Sequence, residues 1–302
     1  MAASSRSEED RVHERVRQVL CACGLDEAMT LSVVGEEAAA CFLPWTGAEP
    51  LRSLTPVLRG ADRLRTSLVP SLLEARRTNE ALSNPRIELF EIARIYLPRA
   101  GELPDEQLML GITSGRPYAE VKGIVEAVLA AVNQDVELEA AEAGCGLLDP
   151  GASCQLRLGG ELLGYVGQLV PEAIKRSGLR QGTTVAEVRM ERLVEAANLV
   201  PRYAAQPPYP AVTRDLNLVV DEAVRWADVA ATVRSHCGQY YESLRYQDTY
   251  RDPQRLGEGR KSLLMTIGLR WSEGTMTSQE ADRVRDEIVA ACAQAHGAEL
   301  RA

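Results

Sequence analysis

The stretch LRTSLVPSLLEARRTN (64–79), followed after a short gap by RIELFEIARIYLP (86–98), sets a helix directly before a strand. Leu64, Leu68, Leu72 and Leu73 form an apolar stripe at helical spacing. Pro70 falls in the expected first turn, where its missing N–H is tolerated, and the helix is predicted to run to about Asn79. Residues 86–98 carry apolar side chains on both alternating faces. That pattern predicts a central strand buried on both sides and ended by Pro98.

Outward from this pair, both flanks are mixed helix and strand. On the N-terminal side, Ser7 and Asp10 resemble a capping box with Asp in place of Glu. Val12, Val16, Val19, Leu20 and Cys23 then recur at helical spacing, and Gly24 supplies a stop. A strand at Met29–Val34 and a small Ala-rich helix at Glu36–Cys41 are expected, then an extended, Pro- and Gly-punctuated segment at 43–63. On the C-terminal side come a strand at Gln107–Thr113 and a helix at Tyr118–Gln134, with Val121, Ile124, Val125, Val128, Leu129 and Val132 on one face. SCQLRLGGELLGYVGQL (153–169) reads as a hairpin with a two-glycine turn. A short helix from Pro171, a strand at Thr184–Met190 and a short helix at Glu191–Asn198 complete the region.

A boundary falls at LVPRYAAQPPYPAVT (199–213), which holds four prolines and no helical period. Behind it the expected order is strand Asp215–Val220, helix Trp226–His236, strands Leu244–Tyr250 and Ser262–Arg270, helix Ser278–His296 and a short strand near Glu299–Leu300. That β-α-β-β-α-β order is the ferredoxin-like split arrangement. The expected organisation is α+β: a module at 1–198, a linker at 199–213 and a ferredoxin-like domain at 214–302. The length of 302 residues suits about two domains.

Composition excludes several classes. At 45 % hydrophobic and 25 % charged, the chain is an ordinary globular one, neither disordered nor collagen-like. The net charge of −9 argues against a surface coated for indiscriminate nucleic-acid binding, but a local RNA site depends on distribution rather than the sum. Seven scattered cysteines with no CxxC pair, and only three histidines, lead us to expect reduced thiols and no zinc site. No run of 18 apolar residues occurs, and MAASSRSEED does not read as a signal peptide. A cytoplasmic location and no membrane association are therefore expected.

The search for catalytic chemistry finds little. There is no GxGxxG, P-loop, GxSxG or HExxH. His13 and His236 read as helix-face residues, and Arg86-Ile87-Glu88 as a chance Arg-x-Glu spacing. One local concentration stands out. Residues 244–270 hold Arg245, Arg251, Arg255, Arg260, Lys261 and Arg270 against Asp248, Asp252 and Glu258. Tyr246, Asp248 and Tyr250 alternate on one expected strand, which would point all three to one face. Such a face could stack a base, accept from its edge and hold its phosphate. An ordinary sheet edge kept soluble by arginine explains the same residues.

These segments resemble the bacterial phenylalanyl-tRNA synthetase β-subunit family. LRTSLVPSLLEARRTN (64–79) with ELFEIARIYLP (88–98) is similar to its catalytic-like module, with Ala93 where a glycine is common. YAEVKGIVEAVL (118–129) and GYVGQLVPE (164–172) look like further family segments. PPYPAVTRDLNLVV (207–220), DTY (248–250) and GEGRKSL (257–263) are similar to its ferredoxin-fold anticodon-binding domain.

The resemblance implies a class II aminoacyl-tRNA synthetase-like antiparallel sheet with helices, without catalytic residues, followed by the ferredoxin-like domain. It implies a role in phenylalanine–tRNA ligase: scaffolding the catalytic α subunit in an (αβ)2 assembly and binding the tRNA(Phe) anticodon. The chain would then bind no cofactor or metal itself, with ATP and Mg2+ at the α subunit. The helix at 64–79 and the first helix are candidate interfaces with α, though packing within the module explains them equally well. The implied anticodon residues are Asp248, Tyr250 and Ser262, with Arg251, Arg260 and Lys261 as candidate phosphate contacts. The family's β subunit carries oligonucleotide-binding, editing and helix-turn-helix domains ahead of this region, so this chain is expected to lack editing. The alternative is a stand-alone tRNA-binding or regulatory protein derived from that subunit, and the remaining one an independent enzyme using the sheet cleft.

Overall fold

The computed structural model describes residues 6–39, 42, 44–56, 58–200, 203 and 205–301. The chain divides into two compact units, Met1–Pro201 and Arg202–Ala302.

The first unit opens with helix α1 (Glu8–Ala22). Ser7 and Asp10 form a reciprocal capping box that satisfies its first N–H groups. Its apolar stripe faces inward, with Val12, Val16 and Leu20 all at 0 % exposure, which settles that stripe as core rather than interface. Strand β1 (Asp26–Glu27) follows, then β2 (Val33–Val34). The longer strand expected at Met29–Val34 shrinks to this pair, the two residues that enter a ladder, opposite Leu64 and Arg63. Met29 and Leu31 stay exposed. Helix α2 covers Glu36–Ala39, and its expected end at Cys41 lies outside the described residues. After β3 (Arg63–Leu64) comes α3 (Val69–Ala81), with Pro70 in its first turn.

The main sheet is built from β4 (Leu89–Leu97), β5 (Asp105–Ser114), then α4 (Tyr118–Val132) on its face, and β6 (Glu139–Ala141), β7 (Leu148–Leu158) and β8 (Glu161–Leu169). Helix α5 (Pro171–Arg176), β9 (Thr184–Arg189) and α6 (Met190–Glu195) close the unit. The strand order is β1-β4-β5-β9-β8-β7-β6, antiparallel except where β1 joins β4 in parallel. β4 is therefore second from the edge rather than central, since its outer side meets only the two residues of β1. Gly159 and Gly160 make the tight turn between β7 and β8 at φ of 55° and 81°, backbone that favours glycine.

One face of this sheet packs on α1, α4 and α6. Phe90, Leu110, Ile112, Leu156, Val166, Ala186 and Val188 meet Val16, Val125 and Leu193 in a single core. The opposite face receives α3. A Cβ at position 111 would meet Leu68 Cβ and Leu72 Cδ1 at 2.8 Å, so Gly111 permits the close helix approach.

The second unit contains β10 (Val212–Asp221), α7 (Trp226–Cys237), β11 (Tyr241–Tyr250), α8 (Pro253–Leu256), β12 (Arg260–Leu269), α9 (Ser278–His296) and β13 (Glu299–Leu300). Its strand order is β11-β12-β10-β13, antiparallel throughout. Helices α7 and α9 cover one face and bury Leu216, Leu218, Met265, Ile267, Val233 and Ile288. A second capping box, Thr277 with Glu280, starts α9, and Gly297 in the left-handed conformation ends it.

Candidate functional site

Strand alternation leaves a polar face on the second unit. In β12, Leu263, Met265, Ile267 and Leu269 point to the helices, so Ser262, Leu264 and Thr266 take the opposite side. In β10, Leu216, Leu218 and Val220 do the same and leave Asp215 and Asn217 there. Residues directly opposite in a ladder share a face. Tyr250 lies opposite Ser262 and Asp248 opposite Leu264, so both join the polar face.

Tyr246 does not. It lies opposite Met265, which is fully buried on the helix side. The ladder shifts register between Tyr246 and Asp248, because Gln247 is an inserted bulge residue. The expectation that Tyr246, Asp248 and Tyr250 share one face is thereby corrected: the bulge reverses the alternation. The Tyr246 ring instead meets Trp226 of α7 edge-on, with centroids 5.3 Å apart.

Asp248, Tyr250 and Ser262 come together around one cavity of about 410 Å³, with Asn217, Leu264, Arg255 and Arg301 as the other lining residues. The Tyr250 hydroxyl donates to Asp252 Oδ2 at 2.7 Å. Asp252 also caps α8 by accepting from the Gln254 and Arg255 N–H groups. The Tyr250 hydroxyl, these N–H groups and the nearby Arg255 hold the Asp252 carboxyl below its ordinary range. That same bond pushes the Tyr250 phenol up. The Arg301 guanidinium lies 5.6 Å from the Tyr250 ring centroid. It is placed there by the Arg301 N–H, which donates to Asn217 O at 2.8 Å. The Ser262 hydroxyl, 2 % exposed, donates to Asn217 Oδ1. Asp248 Oδ1 accepts the Thr249 N–H at 2.8 Å, and among the described residues Asp248 forms no ion pair.

Arg251, Arg260 and Lys261 are placed elsewhere. None lines this cavity. Arg251 Nη2 donates to Glu222 Oε1 at 2.7 Å. Lys261, 9 % exposed, donates to the Glu222 carbonyl at 2.7 Å, and Arg260 pairs with Glu299 at 3.1 Å. Sequence reasoning missed Asn217, Leu264 and Arg301, and it named Arg255 only within the basic concentration at 244–270. The signal for Asn217 was a polar residue amid the apolar alternation of β10. Arg301 had no local signal, because its place depends on β13 returning beside β10.

The corresponding face of the first unit is closed. Glu187 of β9 is 0 % exposed and accepts from Leu68 N–H at 2.5 Å, Trp45 Nε1 at 2.6 Å and Ser67 Oγ at 2.8 Å. Burial pushes its carboxyl up to about 7, against these donors and Arg65, which pull it down. The Trp45 ring sits under the Arg189 guanidinium (4.8 Å) and meets Tyr165 edge-on (5.3 Å). Arg65 and Glu91, each 3 % exposed at the side chain, pair at 3.3 Å, and Thr30 donates twice to Glu91. The two buried carboxylates on this face, Glu187 and Glu91, are thus already engaged by the chain itself. A cavity of about 710 Å³ opens beside α3, lined by Leu31, Leu58, Pro70 and the mixed charges of Glu36, Glu74, Arg77 and Arg176. Among the described residues no His/Cys/Asp/Glu cluster could hold a metal, and no helix is long and apolar enough to cross a membrane.

Residues 1–190 match the family described as phenylalanyl tRNA synthetase beta chain CLM domain, and residues 207–301 match the ferredoxin-fold anticodon binding domain. The chain is 35 % identical to a phenylalanine–tRNA ligase beta subunit of Rhodopirellula baltica, over 97 % of this chain and 44 % of that one. It is 28 % identical to the same subunit of Clostridium tetani, over 96 % of this chain and 37 % of that one. The chain thus spans less than half the length of these relatives. A pyrrolysyl-tRNA synthetase from Desulfitobacterium hafniense aligns with a TM-score of 0.51 and 20 % identity, covering 64 % of this chain and 70 % of that one, a likeness of fold alone.

Proposed function

The chain belongs to the phenylalanyl-tRNA synthetase β-chain CLM-domain family, and we propose that it works as the scaffold and anticodon reader of a phenylalanine–tRNA ligase. The observation that carries this reading is the cavity on the uncovered sheet face, inside the segment matching an anticodon-binding domain. Tyr250 offers an exposed ring on which a base stacks. Asp248 presents a carboxylate that is free of ion pairs among the described residues, able to accept from N–H groups on a base edge. Ser262 and Asn217 supply a hydroxyl and an amide beside it. Together they suit a splayed single-stranded base, the form in which RNA sequence is read.

The first unit holds the fold without the chemistry in this reading. Its sheet face is packed by Trp45, Leu68 and Leu72 where an open cleft would need room. Phenylalanine activation, with its ATP and Mg2+, is assigned to a partner α subunit in an (αβ)2 assembly in the cytoplasm.

The decisive experiment is binding of tRNA(Phe) to this chain and to Tyr250→Ala, followed by fluorescence anisotropy. Loss of a stacked base is worth about 1–3 kcal/mol, or roughly 5- to 150-fold in affinity. Equal affinity of the two proteins, with equal unfolding midpoints, removes the anticodon role. Co-purification with the cognate α subunit at micromolar concentration is the companion test. Its failure favours the stand-alone tRNA-binding alternative.

A further inference from the structure

We propose that Arg255, held at the cavity mouth by Asp252, is the cation that grips the RNA phosphate beside the base stacked on Tyr250. This deepens the reading of the face as an RNA site and rests on it.

The assignment comes from asking which cations near the cavity are available. Arg251 spends its guanidinium on both oxygens of Glu222, at 2.7 and 3.1 Å. Lys261 is 9 % exposed and donates to the Glu222 carbonyl. Arg260 pairs with Glu299, and Arg270 pairs with Glu242 at 2.7 Å. Arg301 lies over the Tyr250 ring itself. Arg255 differs from the first four in its place and from Arg301, which shares the cavity, in not being laid over the ring. It lines the same cavity as Tyr250 and Asp248, and its side chain is 70 % exposed.

Its one ion-pair contact among the described residues, Asp252, is 3.6 Å away, beyond hydrogen-bond distance. That carboxylate is already shared among the Tyr250 hydroxyl and two backbone N–H groups. The donors of the Arg255 guanidinium therefore remain open for a phosphodiester, whose oxygens suit its planar fork. Asp252 is a positioning residue in this arrangement. It fixes the Tyr250 ring through the phenol, and it fixes the backbone of Arg255 by capping the four-residue turn Pro253–Leu256. One side chain thereby sets the spacing between the stacking surface and the cation.

The experiment measures binding of the anticodon stem-loop RNA of tRNA(Phe) to the full 302-residue chain across a salt series. Arg255→Gln keeps side-chain length and removes the charge. Affinity should fall several-fold at low salt. The slope of log K against log salt should shrink by about 0.7, the contribution of one phosphate on a single strand. Arg251→Gln should leave the slope unchanged, because that charge is committed to Glu222. An unchanged slope in Arg255→Gln, or an equal loss of slope in Arg251→Gln, overturns the assignment. Tyr250→Ala separates the two levels. If it loses affinity while Arg255→Gln keeps the wild-type slope, only the phosphate assignment fails. If it binds as the wild type does, the RNA reading of the face fails.

Discussion

The two antiparallel sheets of this chain each carry helices on one face and treat the other face in opposite ways. In the first unit the second face is paved by Trp45, Leu68 and Leu72, and the charges beneath are consumed: Glu187 by three donors, Glu91 by Arg65 and Thr30. In the second unit the face stays open, and among the described residues its Asp248 carboxylate enters no ion pair. The difference follows from solvation. A buried carboxylate must be satisfied by the protein or it destabilises the fold. One at the surface is satisfied by water, which a ligand can replace. The closed face therefore reads out as stability and the open face as binding, and mutations should separate the two.

The largest effect belongs to the closed face. Glu187→Ala strands the Trp45 indole N–H, the Ser67 hydroxyl and the Leu68 N–H, which bind the entry to α3 onto β9. The expected loss is about 3–5 kcal/mol in urea unfolding, with near-unchanged tRNA affinity in whatever fraction stays folded. A loss under about 1 kcal/mol would mean that the face is not sealed as described.

A second test uses pH. Burial holds the folded carboxyl of Glu187 up at about 7, against the ordinary glutamate value of 4.5. The native state therefore keeps a proton that the unfolded chain has released, and unfolding gives up that proton. The stabilisation from this site is full below about pH 4.5 and fades as pH rises through about 7. Relative to Glu187→Gln, the wild type should lose stability across that window, at no more than about 1.4 kcal/mol per pH unit, and then level off. A difference that is flat, or that grows with pH, contradicts the shift. Among the described residues the open face has no such buried carboxyl, and its contribution should not follow this curve.

How much of this was legible depended on how local the cause was. The helices at 8–22, 118–132 and 278–296 were readable because an apolar stripe lies within each segment, with a capping box at the start of the first and the last. The helix-strand pair α3–β4 was readable for the same reason, down to Pro70 in the first turn. Trp45 was not. It sits in a Pro- and Gly-rich stretch that reads as a loop, and its partner Glu187 is 142 residues away. Glu187 itself interrupts an apolar strand and carries no mark to distinguish a sealed carboxylate from an exposed one. The open-face residues Asp248, Tyr250 and Ser262 were legible through the family resemblance. Arg255 was legible only as one member of the basic concentration at 244–270 and Arg301 not at all, because their places depend on where a turn and a terminal strand come to rest.

The smallest predicted effect tests the bulge, the feature that period-two reasoning cannot see. An inserted residue changes which face every later side chain takes, and only the partner strand reveals it. Tyr246 and Tyr250 are both tyrosines on β11, exposed by 45 % and 39 %, so exposure does not tell them apart. Their surroundings do. Tyr246 packs on Trp226, and Tyr250 borders the cavity with Asp248. Tyr246→Ala should lower folding stability by about 1 kcal/mol, the scale of one edge-on aromatic pair, and leave tRNA affinity within about twofold. Tyr250→Ala should do the reverse. If Tyr246→Ala weakens RNA binding as much as Tyr250→Ala, then Gln247 is not an insertion in solution, all three side chains share a face, and the line between the open and packed sides of β11 must be redrawn.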